Sequence, residues 1–201
     1  MLSFNQIRRQ DPKAAPILSL MALLDRQGVP KSLLRKEDDR SIDFTTALGT
    51  LQAFCLIKAE VGGDTFMMHR LVQLSTQNWL EMESTHVAYK EEALQMLSAK
   101  FPSGLYETWK MCEVLLPHAQ IVLKYSCTAG FRRLDDASLL CRVAEYNLNQ
   151  GRLDIAHDYA MECYGVLQML LDIDHIMIFK CIMLIATGHM AKSNNEERRR
   201  C

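Results

Sequence analysis

A mainly α fold, with β-structure confined to one short hairpin, is predicted by three observations. Apolar residues recur at i, i+3, i+4 and i+7 in one segment after another. A single Gly62-Gly63 pair separates two short runs with strand character. From Leu139 onward the pattern becomes that of two helices joined at Gly151, a unit of about 34 residues.

Ile17, Leu20, Met21 and Leu24 predict a helix from about Ala14 to Arg26, closed by Gly28. Pro30 at a first-turn position starts a short second helix through Leu34. The charged stretch Arg35 to Arg40 reads as a solvated loop. Ser41 reads as the N-cap of a third helix, in which Phe44, Ala47, Leu48 and Leu51 share a face. Cys55 to Val61 and Asp64 to Met68 then flank a two-residue Gly-Gly turn, because glycine supplies positive φ at both central positions. Three helices followed by a hairpin is the order of a winged helix. A fourth helix, from His69 to about Met82, carries Val72, Ser75 and Trp79 on one side.

Beyond Glu83 only helices are expected. Tyr89, Ala93, Met96 and Leu97 mark one that ends at Pro102-Ser103-Gly104. Trp109, Cys112, Leu116, Ala119 and Leu123 mark another, which Pro117 either kinks or restarts. Leu140, Val143, Ala144 and Leu148 form helix A of a tetratricopeptide-like unit, and Ile155, Ala156, Tyr159, Ala160 and Cys163 form helix B. Ile176 to Ala186 reads as a second helix A, apolar on nearly every side and hence expected to be covered by neighbours. The fold class is therefore a winged helix at 1–83, a helical linker at 84–132, and a partial tetratricopeptide-like α-solenoid at 133–191 whose second repeat is incomplete. A disordered tail is expected at 192–201.

Composition narrows the function. The 201 residues are 49% hydrophobic, enough for a real core, and 23 Lys plus Arg against 24 Asp plus Glu leave a net charge of −1. No global field draws such a chain to nucleic acid or to an anionic membrane. The seven cysteines, at 55, 112, 127, 141, 163, 181 and 201, are never closer than fourteen residues, which excludes C-x-x-C pairs. They read as reduced, buried packing residues, and with no secretory signal they place the chain in the cytoplasm. The apolar runs Ala14 to Leu24 and Ile176 to Ala186 are too short to span a bilayer.

No glycine precedes a lysine, so a Walker A phosphate loop is excluded. H-E-x-x-H, G-x-S-x-G and paired-carboxylate helix motifs are absent as well, so no enzyme, no catalytic residue and no metal site is expected. His86, His118, His157, His175 and His189 are scattered; Cys112 with His118, and His157 with Cys163, are each six apart, a poor ligand spacing on a helix. Trp79, Trp109, Tyr146 and Tyr159 are expected in the core. The alternative function for a winged helix is DNA binding through its third helix. Here that helix, Ile42 to Phe54, contains Asp43 and no lysine or arginine, which opposes phosphate contact.

Phe4-Asn5-Gln6-Ile7, Leu18-Ser19-Leu20-Met21, Asp25-Arg26-Gln27-Gly28-Val29-Pro30, Leu33-Leu34, Met68-His69-Arg70-Leu71-Val72-Gln73, Phe101-Pro102-Ser103-Gly104 and Leu116-Pro117-His118-Ala119 together resemble fungal NB-ARC and tetratricopeptide proteins. These belong to the signal-transducing (STAND, NLR-like) NTPases, and the likeness spans roughly residues 4 to 175. It implies a nucleotide-binding domain, a winged helix, a helical linker and repeats, in that order, of which this chain matches from the winged helix onward. Met68, His69 and Arg70 stand where the class has its Met-His-Asp motif, and the histidine is implied to contact the β-phosphate of ADP and hold the resting state. Arg70 departs from the aspartate. The turn of the next repeat is also altered, to Asp172-Ile173-Asp174-His175-Ile176.

The expected function is thus a non-enzymatic regulatory and protein-interaction segment. It has no cofactor of its own, ADP or ATP belonging to full-length relatives. Its expected partners are proteins bound through the helical repeats, NB-ARC relatives among them.

Overall fold

The computed structural model describes residues 4–35, 40–129, 133–171 and 175–200. It is mainly helical with a small three-stranded sheet, and it divides into two compact units, Met1–Met96 and Leu97–Cys201. The loop expected at Arg35 to Arg40 falls largely on 36–39, and the altered repeat turn falls on 172–174. Both stretches lie outside the described residues.

In the first unit, α1 (Phe4–Gln10) precedes α2 (Ala14–Ala22), which is buried on almost every residue. The sequence reading contained no α1, and it ran α2 on to Arg26. The helix instead stops at Ala22, and a turn follows in which Gln27 N donates to the Asp25 carboxylate at 2.9 Å and Gly28 adopts φ 64°. Local side-chain bonding of this kind competes with the helix ladder.

Strand β1 (Val29–Pro30) was not foreseen, because Pro30 read as a helix start. Pro30 does border the short α3 (Lys31–Leu34), as its N-cap. α4 (Ser41–Ala53) begins at the residue predicted to cap it: Arg40 occupies the N-cap and Ser41 is already helical. Its buried face is the predicted set, Phe44, Ala47, Leu48 and Leu51.

β2 (Ile57–Ala59) and β3 (Thr65–Met68) pair antiparallel with Ile57 opposite Met68 and Ala59 opposite Phe66. β1 pairs on the other side of β3, Val29 opposite Phe66, so the order is β1-β3-β2. The connection is longer than the predicted two-residue turn. Glu60 N bonds Thr65 O at 2.9 Å and Gly63 N bonds Glu60 O, which leaves Val61, Gly62, Gly63 and Asp64 in the loop. Gly62 and Gly63 have φ 99° and 75°, the positive values for which glycine was singled out.

α5 (Arg70–Met82) follows, and α6 (His86–Lys100) contains the boundary between the units. The predicted face of α5 is corrected. Thr76 and Leu80 are buried, Val72 and Trp79 are half-buried, and Ser75 is exposed.

In the second unit a 3-10 turn, Tyr106–Thr108, leads into α7 (Trp109–Ala129), one continuous helix with Pro117 inside it. Among the described residues, Cys112, Leu115, Ala119, Val122 and Leu123 are its buried apolar ones, whereas Trp109 and Leu116 are only half-buried. α8 (Leu134–Asn149), α9 (Leu153–Leu170) and α10 (Ile176–Arg200) then pack in succession. Gly151, at φ 73°, makes the turn between α8 and α9. Ala156, Ala160 and Cys163 are buried on α9 as expected, but Ile155 is 45% exposed and Tyr159 half-buried. α10 is not covered all round. Ile178 and Cys181 are buried, while Phe179, Met183 and Met190 face outward. The helix extends past Ala191, where the sequence predicts a disordered tail.

Candidate functional site

Met68, His69 and Arg70 form the end of β3 and the beginning of α5, and they do not converge. Met68 is fully buried, opposite Ile57 in the sheet, and its amide donates to Arg26 O at 2.8 Å. His69 and Arg70 are exposed. Met68 is thus a packing residue that fixes where the next residue emerges.

His69 is the N-cap of α5, with extended backbone (φ −67°, ψ 140°), and its Nδ1 accepts from Leu71 N at 3.2 Å. An acceptor Nδ1 on a neutral imidazole puts the proton on Nε2. The ring therefore turns an N–H donor toward solvent at the positive end of a helix dipole, a position suited to an anionic group. The same capping geometry recurs at His175, whose Nδ1 accepts from Met177 N at 3.2 Å at the start of α10. What sets His69 apart is how its helix is tied down.

That tie comes from two glutamines one turn apart. Gln73 Nε2 donates to Ala22 O at 3.2 Å and Leu24 O at 3.0 Å, and Gln77 Nε2 donates to Ala22 O at 2.7 Å. The last carbonyls of a helix have no partner within it. α5 supplies those donors to the end of α2, so His69 sits on a helix bonded to the most buried helix of its unit. Glu60 adds a second brace, accepting from Thr65 Oγ1 at 2.8 Å and from Gly28 N at 3.3 Å. Sequence reasoning missed both devices, since neither glutamine stands out until α2 is seen to end at Ala22.

The DNA reading finds no new support at α4. Its one charged residue, Asp43, is engaged by Lys13 Nζ at 2.6 Å. The bond from Lys13, followed by its charge, holds the Asp43 carboxyl below its ordinary value.

The second unit has its own fixed turn. Arg142 of α8 donates from Nη1 to Ser98 O at 2.8 Å and Phe101 O at 2.6 Å, capping the end of α6 with a cation where the helix dipole favours one. Gly104 O accepts from Trp109 Nε1 at 3.0 Å and from Asn149 Nδ2 at 2.7 Å. The run Phe101-Pro102-Ser103-Gly104 is therefore a docking element for α8.

Histidines that looked scattered are partly gathered. The rings of His157 and His189 meet edge to face at 4.8 Å, in a cleft of about 180 Å³ also lined by Asp154, Asp158 and Gly188. Among the described residues, no group of three or more His, Cys, Asp or Glu is arranged to hold a metal ion, and no helix is long and apolar enough to cross a membrane.

No protein family matches the chain, and no solved structure does. The chain is 31% identical over 159 residues, 79% of its length, to a protein of Hyaloscypha variabilis described as a nucleotide-binding leucine-rich repeat (NLR)-like protein. It spans only 16% of that relative's length, so the likeness is to one stretch of an NLR-like protein.

Proposed function

We propose that the chain is a non-enzymatic regulatory and protein-interaction segment of NLR-like signalling, residues 1–83 acting as a winged helix that senses nucleotide through His69. A linker at 84–132 joins it to tetratricopeptide-like helices from 133 onward, which hold protein partners. The observation that carries this reading is the exposed His69 imidazole at the amino end of α5, on a helix bonded through Gln73 and Gln77 to the end of α2. An anion drawn to Nε2–H would pull on that helix, and the pull would pass to α2 and, through Met68, to the sheet. The similar Hyaloscypha protein is described as nucleotide-binding, which supports a nucleotide as the source of the anion; ADP is what the NB-ARC resemblance implies.

The outward residues of α10 support the interaction half of the proposal. Phe179 is 65% exposed, Met183 51% and Met190 61%, and they recur at helical spacing along one side. The chain offers no P-loop, so it senses rather than hydrolyses.

Calorimetric titration of ADP into the isolated chain should show no micromolar binding. Adding the nucleotide-binding region of the Hyaloscypha relative in trans should create ADP-dependent association, weakened at least tenfold by His69→Ala. ATP hydrolysis by the chain alone, surviving His69→Ala, would overturn the proposal.

A further inference from the structure

Three thiols meet inside the second unit, one from each of its last three helices. Cys141 of α8, Cys163 of α9 and Cys181 of α10 are 7%, 0% and 0% exposed. Cys163 is the middle member, placed by two carbonyls, one a turn before Cys141 and one a turn before Cys163 itself. Its Sγ donates to Ala137 O at 3.2 Å, one turn before Cys141 on α8, and Cys181 Sγ donates to Ala160 O at 3.0 Å, one turn before Cys163 on α9. Buried cysteines commonly pack as small apolar residues, but here they follow one another across three packed helices, each of the last two bonded one turn before the cysteine of the preceding helix.

The members differ chemically. Cys141 is closest to solvent, and the neighbouring Cys163 thiol draws its own from 9.0 down to about 7; burial and the Glu145 carboxylate oppose this, and the Lys180 and Arg142 cations assist it. Cys163 is pushed the other way, by the thiols on either side of it and by burial, and its own proton is donated to Ala137 O. One thiolate-prone sulfur beside one held as a thiol is the pairing that separates an attacking cysteine from a resolving one. Cys55 is exposed and belongs to the first unit, and burial pushes the Cys112 thiol up.

We propose that Cys141 and Cys163 form a peroxide-reactive dithiol whose oxidation ties α8 to α9. Hydrogen peroxide is the oxidant. The Cys141 thiolate attacks one peroxide oxygen, the O–O bond breaks, and the released hydroxide takes up a proton to leave as water, giving Cys141 sulfenic acid. The Cys163 sulfur then attacks Cys141 Sγ, its thiol proton leaves with the sulfenic hydroxyl as a second water, and the disulfide remains. Two thiols are oxidised by two electrons and one peroxide is reduced to two waters. Cys163 gives up the proton it donates to Ala137 O, so that carbonyl of α8 loses a partner as the cross-link forms.

The test is peptide mapping by mass spectrometry, under non-reducing conditions, of the folded chain treated with stoichiometric hydrogen peroxide. The expected product is a Cys141–Cys163 linked peptide lacking two hydrogen atoms and reversed by dithiothreitol. In Cys163→Ala the cross-link should vanish and Cys141 should be trapped by dimedone as sulfenic acid. The wild-type map decides the matter even if that variant does not fold. Modification of Cys55 while Cys141 and Cys163 stay free thiols would overturn the proposal, as would a Cys163–Cys181 link without Cys141, or Cys141 sulfinic acid with no cross-link.

Discussion

Gly104 lies directly against the backbone of Tyr146: a methyl group on Gly104 would fall 2.5 Å from both the Cα and the N of Tyr146. The neighbour is helix backbone, which cannot swing aside. Gly104→Ala should therefore push the turn off α8 and cost about 2 kcal/mol or more, the upper part of the range for overpacked cores. Gly49 is the contrast, exposed within α4 with open space around its Cβ position. Gly49→Ala should stabilise by about 0.5–1 kcal/mol through reduced unfolded-state entropy. Chemical denaturation of both variants, read against wild type, checks the pair of opposite signs.

Arg142 bonds two carbonyls at the end of α6 with one nitrogen. Arg142→Met keeps much of the side chain's length and removes both donors. The expected loss is about 1.5–3 kcal/mol, as for hydrogen bonds made by a charged group. Amide exchange at the end of α6 and just beyond it, from Leu97 to Phe101, should accelerate in the same variant. Unchanged exchange there would show that the cap does not hold the helix end.

Gln73 and Gln77 share the Ala22 carbonyl. Losing one leaves the other in place, and losing both orphans a buried acceptor. Single changes to Ala should each cost about 0.5–1.5 kcal/mol. The double variant should cost more than their sum, because only then does the full desolvation penalty of the carbonyl appear. A double-mutant cycle measured by urea denaturation gives the sign directly.

The Lys13–Asp43 pair links the start of α2 to α4. Asp43 titrates below its ordinary 3.8 in the folded chain, so its contribution is present above that value and is lost as pH falls through the lower folded one. Wild type should be more stable than Asp43→Asn near neutrality. The two should converge in acid below the folded pKa of Asp43, and melting curves across that range follow the convergence. Added salt should narrow the gap at neutral pH, since both partners are substantially exposed.

Periodicity located most helices because it reports which side of an element is buried. Phe44, Ala47, Leu48 and Leu51 on α4, and Ala156, Ala160 and Cys163 on α9, are such cases. It could not locate the end of α2, where apolar spacing continues through Leu24 although the backbone has already turned at Ala22. Strand β1 was illegible for a related reason. Two residues are too few to show alternation, and Pro30 carries a helix-start signal of its own. At the candidate site, the place of His69 at the junction of hairpin and helix could be read, though it proves to be the N-cap and not the first helical residue. The glutamine tie and the thiol cluster could not, because each depends on residues brought together from separate helices.

Pro30 also decides where the sheet stops. β1 is an outer strand of only two residues, and one of them has no amide hydrogen to offer. A foreign strand approaching that margin finds too little ladder to extend, so end-on growth into fibrils is blocked on that side by a single imino acid.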